Sequence, residues 1–154
     1  PGGPGATLST LFYFNSDRST ITAVTLAKEA FDVGIITSNG EKMLAFYHGV
    51  LGLPQEPSIP FPGLGTIHRL VCGSSILRIV ASDNAVENVA GGAFASRNGI
   101  RYITINITNL DEVVADCKTF GSNIAVDIRD LRPGVRCCQV QDPDGNYVEF
   151  ICAA

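Results

Sequence analysis

Glu149 is the residue of this chain best placed to do chemistry. It follows the turn Asp142-Pro143-Asp144-Gly145-Asn146, in which Pro presets one backbone angle, Gly admits positive φ, and Asp or Asn side chains bond nearby amides. The run Tyr147-Val148-Glu149-Phe150-Ile151-Cys152 is β-prone, and alternation puts Tyr147, Glu149 and Ile151 on one face. A carboxylate among apolar strand residues costs free energy unless water or a partner satisfies it. Glu149 therefore faces solvent or has a partner in a cavity. A second polar row runs through residues 100–108, where Tyr102, Thr104 and Asn106 alternate with Ile103, Ile105 and Ile107. The isoleucines suit packing beneath a helix, so the polar three look into whatever space the sheet encloses. His68 lies in the β-prone run Thr66 to Cys72, on the same face as Leu70 and Cys72. Turned inward, it is the best general acid or base in the chain, because imidazole titrates near neutrality.

The elements that must position these residues form a repeat that begins after residue 29. The first half opens with a strand over Phe31 to Thr37, then a helix over Glu41 to Leu51 capped by Ser38 or Asn39 and stopped by Gly52. Strands follow at Thr66 to Cys72 and Ser75 to Ala81. In the second half, a strand over Ile100 to Thr108 leads through Asn109, a cap, into a helix that ends at Phe120 before Gly121. β-prone segments follow at Ile124 to Ile128, Val135 to Gln141 and Tyr147 to Cys152. Each half reads β-α-β-β-β, which makes the chain α+β. Packing the halves closes their uncovered sheet faces into a cupped, barrel-like mixed sheet with flanking helices. The first module is assigned to residues 30–87 and the second to 100–154, joined by a linker at 88–99 rich in Gly, Ala, Asn and Ser. Residues 1–29 form an extension, either a flexible leader or a hairpin pairing Thr7 to Asn15 with Ser19 to Leu26. The punctuated segment Phe61-Pro62-Gly63-Leu64-Gly65 is a candidate lid over the pocket.

Composition bounds the partners. With 154 residues, 45% hydrophobic and 17% charged, the chain can bury a sizeable core. A net charge of −4 without a basic run argues against nucleic acid, and no apolar run approaches the roughly 20 residues a membrane span needs. Five scattered cysteines without a CxxC pair read as reduced core residues of a cytoplasmic protein.

Four segments carry a resemblance. Asp32-Val33-Gly34-Ile35, Glu41 to Leu53 (EKMLAFYHGVLGL), Asn109-Leu110-Asp111-Glu112 and Asp142 to Glu149 together resemble the vicinal oxygen chelate superfamily, which includes glyoxalase I, bleomycin-resistance, methylmalonyl-CoA epimerase and extradiol dioxygenase families. That superfamily takes metal ligands, usually His and Glu or Gln, from the first and last strands of each module. The resemblance places those positions at Asp32, Arg78, Tyr102 and Glu149, of which only Glu149 keeps the usual residue. Arg stays protonated and repels an ion, and neutral Tyr is a poor ligand. The implied protein is therefore a glyoxalase-like small-molecule-binding module with a degenerate, metal-free pocket and no cofactor. Its catalytic candidates are Glu149, Asp32 and Tyr102, and Arg78, His68 and Thr104 are expected to contact a small organic ligand. The alternative is a glyoxalase- or epimerase-type isomerase or lyase, in which Glu149 or Asp32 removes a proton beside a carbonyl while Arg78 or Tyr102 stabilises the enolate oxygen. A divalent metal, if held, would sit on Asp32 and Glu149 with help from His68. Arg78 is expected to neutralise Glu149 or Asp32 as a buried pair. Relatives commonly dimerise, so a homodimer is expected.

Overall fold

A computed structural model describes residues 23–154. The first module contains β1 (Val33–Thr37), α1 (Gly40–Leu44) continuing into a π-helical segment (Ala45–Val50), β2 (Gln55–Phe61), β3 (Gly65–Cys72) and β4 (Ser75–Ser82). The second contains β5 (Tyr102–Asn106), α2 (Leu110–Phe120), β6 (Ile124–Arg132), β7 (Val135–Gln141) and β8 (Tyr147–Ala153). Each module folds its strands into one mixed sheet, ordered β1-β4-β3-β2 and β5-β8-β7-β6. The first strand lies parallel to the last in both, and the other pairs are antiparallel. This is the expected α+β architecture of two tandem βαβββ modules forming a cupped sheet.

Period-two alternation divides each sheet cleanly. Val33, Ile35, Leu70, Leu77 and Ile79 of the first sheet, and Ile103, Ile105, Val140, Val148 and Phe150 of the second, point to the helix side. There they meet Met43, Phe46, Tyr47, Leu110, Val114 and Cys117 in a single core. Phe46 and Phe120 bring the two helical layers together, with ring centroids 6.0 Å apart. Full burial of each such side chain stabilises the fold by about 1.5–3 kcal/mol before entropy is counted. The opposite faces of the strands form the floor of the cup.

Several local expectations need correction. Asn39 and Asn109 stand at the helix N-caps, but neither side chain caps its helix. Thr37 Oγ1 accepts from the Asn39 amide at 2.8 Å instead. Strand β2 was not expected, because Pro57 and Pro60 interrupt its pattern. It survives as the sheet's edge, with a bulge between Glu56 and Ile59, where a missing donor faces no neighbour. Its presence turns Phe61 to Gly65 into the β2–β3 hairpin rather than a lid, tied by Leu64 N–H to Phe61 O at 3.0 Å. Gly65 has φ +144, and a Cβ there would lie 1.9 Å from the Ala81 carbonyl oxygen, so only glycine fits. Gly121 ends α2 in the left-handed conformation, as expected. The hairpin expected in the extension falls outside the described residues, apart from 23–26, which have no regular structure. Among the described residues no helix is long and apolar enough to cross a membrane.

Candidate functional site

Register fixes what each sheet presents to the cup. On the first floor, Arg78 of β4 lies directly opposite Arg69 of β3 and in register with Gly34 of β1. The next row is apolar: Ile36, Val80, Ile67 and Ile59. Asp32 precedes β1 on the same face and is heavily engaged. It accepts from Lys28 Nζ at 2.5 Å, from the Ile76 amide at 2.9 Å and from Arg78 Nη2 at 3.1 Å. These donors, Lys28 foremost, hold its carboxyl down at about 2. Held so low, the carboxyl is a weaker base than an ordinary carboxylate. Arg78 pairs with Asp32 and not with Glu149. The pair is open to water, with side chains 39% and 25% exposed, so the expectation of a buried structural ion pair is overturned.

The second floor carries a different set at equivalent positions. Glu149 of β8 is in register with Thr104 of β5 and Gln139 of β7. Thr104 Oγ1 donates to Glu149 Oε1 at 2.9 Å, and Gln139 Nε2 donates to Oε2 at 3.2 Å. No cation lies within ion-pair distance of Glu149 among the described residues. One row away, Tyr102 and Tyr147 are neighbours, and linker residue Phe94 packs on both with centroids at 5.3 and 5.2 Å. Tyr147 also donates its hydroxyl to Gly92 O at 2.9 Å, which anchors the linker over this end of the floor.

His68 does not join either group. It lies opposite Ile79, and so faces the helix side with Leu70 rather than the cup. Its Nδ1 is bonded at 2.8 Å to Ser58 Oγ. Asp32 with Arg78, and Thr104 with Glu149, are the expected residues brought into direct contact. Sequence reasoning missed Arg69, Gln139 and Phe94. Cross-strand parity pointed to the first two; nothing local marked Phe94.

Between the modules the edge strands β1 and β5 border a cleft of about 610 Å³. Its walls include Ile36, Asn39, Arg97, Arg101, Tyr102 and Asp144. Both arginines are spent on the linker: Arg97 donates to the carbonyls of Val89 and Gly91, Arg101 to those of Phe94 and Ala93. Beneath lies Asp142, 4% exposed, which accepts from the amides of Asp144 and Asn146, the Asn146 side chain and the Tyr47 hydroxyl. Burial pushes its carboxyl up, and these donors restrain the rise. The Asp-Pro-Asp-Gly-Asn turn is thus a joint between modules as well as a strand connection.

A metal ion suits this donor set poorly. Among the described residues no three His, Cys, Asp or Glu side chains converge. Asp32 is neutralised by two cations, and a guanidinium stands at the Arg78 position.

Comparison with known proteins agrees with the architecture. The family model described as the Glyoxalase/Bleomycin resistance protein/Dioxygenase superfamily matches residues 30–150, and the chain belongs to that superfamily. Among solved structures, a glyoxalase family protein from Bacillus cereus has a TM-score of 0.72 at 14% identity, over 86% of this chain and 98% of its own. A glyoxalase family protein from Enterococcus faecalis has a TM-score of 0.58 at 22% identity, over 79% and 93%. A lactoylglutathione lyase from Agrobacterium tumefaciens has a TM-score of 0.56 at 19% identity, over 82% and 95%. At these identities the likeness speaks to fold alone. No curated protein matches the chain in sequence.

Proposed function

We propose that this chain is a small-molecule-binding member of its superfamily whose cup recognises an organic ligand directly, without an ion. The observation that carries this reading is the engagement of Asp32 by Lys28, the Ile76 amide and Arg78. A carboxylate so satisfied has little left to offer a cation, and the adjacent guanidinium opposes one. Glu149, Thr104, Gln139 and Tyr102 then supply directional contacts from the second floor, and Arg78 from the first. Titration of dialysed protein with Ni²⁺, Zn²⁺, Mn²⁺ and Fe²⁺ by calorimetry tests this. The expectation is no stoichiometric binding tighter than about 0.1 mM, near the weak end of the affinity scale. A 1:1 ion lost on Glu149→Gln would refute the reading.

The second reading, proton transfer beside a carbonyl, draws on one specific observation: Glu149 is held only by neutral donors. Such a carboxylate keeps a lone pair for a substrate proton, with Tyr102 near enough in register to serve the developing oxygen. Exchange of a substrate carbon-bound proton into deuterated water, abolished by Glu149→Gln, would raise this reading above simple binding.

A further inference from the structure

Arg69 and Arg78 face each other across β3 and β4 as a directly opposed like-charge pair. Such pairs destabilise a sheet, and a fold keeps a broken local rule where function needs it. Each guanidinium has one acidic neighbour: Arg69 Nη2 lies 2.6 Å from Glu56 Oε2, and Arg78 Nη2 lies 3.1 Å from Asp32 Oδ2. The remaining N–H groups make no hydrogen bond among the described residues. Asp32 is held more closely by Lys28, at 2.5 Å, so Arg78 is its looser partner. Counting Lys28, Arg69 and Arg78 against Asp32 and Glu56, this cluster carries one net positive charge, in a chain whose formal net charge is −4. Beside it runs the apolar row Ile36, Val80, Ile67 and Ile59, with Phe61 beyond. Ile36, Ile59 and Phe61 are 56%, 45% and 50% exposed, a contiguous apolar surface of the kind that marks a binding face. Gly34 leaves the floor bare next to Arg78, since a Cβ there would meet nothing within 4 Å.

We infer that the first floor binds a small organic carboxylate with a compact apolar body. The carboxylate bridges Arg69 and Arg78 through their free N–H groups, and the body lies on Ile36, Val80, Ile67 and Ile59. Bridging relieves the like-charge opposition and uses the fork geometry that suits guanidinium to planar carboxylates. This deepens the reading above and rests on it, because it names the ligand class for the same cup.

The test uses the full chain and benzoate as probe at fixed ionic strength, followed by amide chemical shifts. Saturable shifts are expected at Ile67, Arg69, Arg78 and Val80. The dissociation constant should weaken about tenfold in Arg69→Gln and in Arg78→Gln, as expected for losing one charge-assisted contact. Arg69→Lys and Arg78→Lys should recover part of that loss. Arg136→Gln, on the helix side, makes the same change in net charge and should leave binding unaltered. Equal weakening in Arg136→Gln, unaltered binding in both glutamine variants, or no saturable shift at all overturns the assignment. So does concentration-dependent pairing of two chains that buries Ile36 and Ile59. Methyl benzoate binding as tightly on the same floor overturns the carboxylate assignment and leaves the metal-free binding reading standing. A stoichiometric ion that benzoate binding requires overturns both.

Discussion

Removing one hydroxyl from the core should loosen the joint between the modules in a pH-dependent way. Tyr47 is fully buried in the π-helical segment of the first module, and its hydroxyl donates at 2.8 Å to Asp142 Oδ2 in the second. Tyr47→Phe keeps the ring, its edge-on contact with Phe46 and nearly all the buried area, so the change isolates the hydrogen bond. A bond to a charged acceptor contributes roughly 1.5–3 kcal/mol, partly offset by no longer burying the hydroxyl, so a loss of about 2 kcal/mol is expected. For a domain of this size that lowers the thermal midpoint by about 7 °C. Burial raises the folded pKa of Asp142 above its unfolded value, so the native state holds this proton more tightly. That contribution to stability is present in acid and is lost as pH rises through the folded pKa. The Tyr47 hydroxyl favours the ionised form and limits the loss. Its removal raises the pKa further, so the deficit of the variant should grow with pH and shrink toward acid. Urea unfolding at about pH 4 and pH 7.5 measures both ends. A deficit under about 0.5 kcal/mol at the higher pH, or one equal at both, would show that the Tyr47 bond is not coupled to the Asp142 charge.

Three further outcomes follow from the same geometry. Arg78→Ala should leave the thermal midpoint within about 2 °C of the parent, because the pair with Asp32 is open to solvent; a large drop would mean that the guanidinium is buried after all. Gly65→Ala should cost roughly 3 kcal/mol or more, since φ +144 and the Ala81 carbonyl both exclude a Cβ, and soluble protein of unchanged midpoint would contradict that backbone. Burial pushes the Cys117 and Cys138 thiols up to about 11, so native protein treated with iodoacetamide near pH 8 should be alkylated first at half-buried Cys72, and comparable labelling of either buried thiol by peptide mass mapping would count against the packing of α2 on β7.

Much of the fold is legible because the helix-facing sides of β1, β4, β5 and β8 are period-two, largely apolar rows and each helix has an apolar stripe. The misreadings share a cause. Alternation says which residues share a face and leaves open which face is the cup. His68 can contact a ligand in the cup only if it turns inward, but its parity with Leu70, a core residue, ties it to the helix side, and the cup position belongs to its neighbour Arg69. Gln139 escaped notice because its role exists only in register with Glu149, ten residues on. β2 was invisible because proline breaks the strand pattern, and only its edge position permits it. Phe94 sits in a Gly- and Ala-rich linker, and a contact made across a chain reversal leaves no local signature. Asp142 read as turn chemistry, which it is; its bond to Tyr47, 95 residues away, could not be read from the turn.

The internal repeat explains why the two floors can differ so sharply. Register aligns Leu77, Ile79 and Leu70 of the first module with Val148, Phe150 and Val140 of the second, and all six are buried and apolar. The same alignment sets Gly34, Arg78 and Arg69 against Thr104, Glu149 and Gln139. On the helix side a change of type would leave a cavity or an unpaired polar atom in the core, costing several kcal/mol. On the floor a charge remains hydrated, so its identity is nearly free of the demands of folding. Equivalent positions can therefore hold a cation in one half and an anion in the other without altering the architecture, and the cup acquires a polarity that the repeat does not have. In the binding reading proposed above, that polarity, more than the fold it shares with structures under 25% identical, sets the choice of ligand.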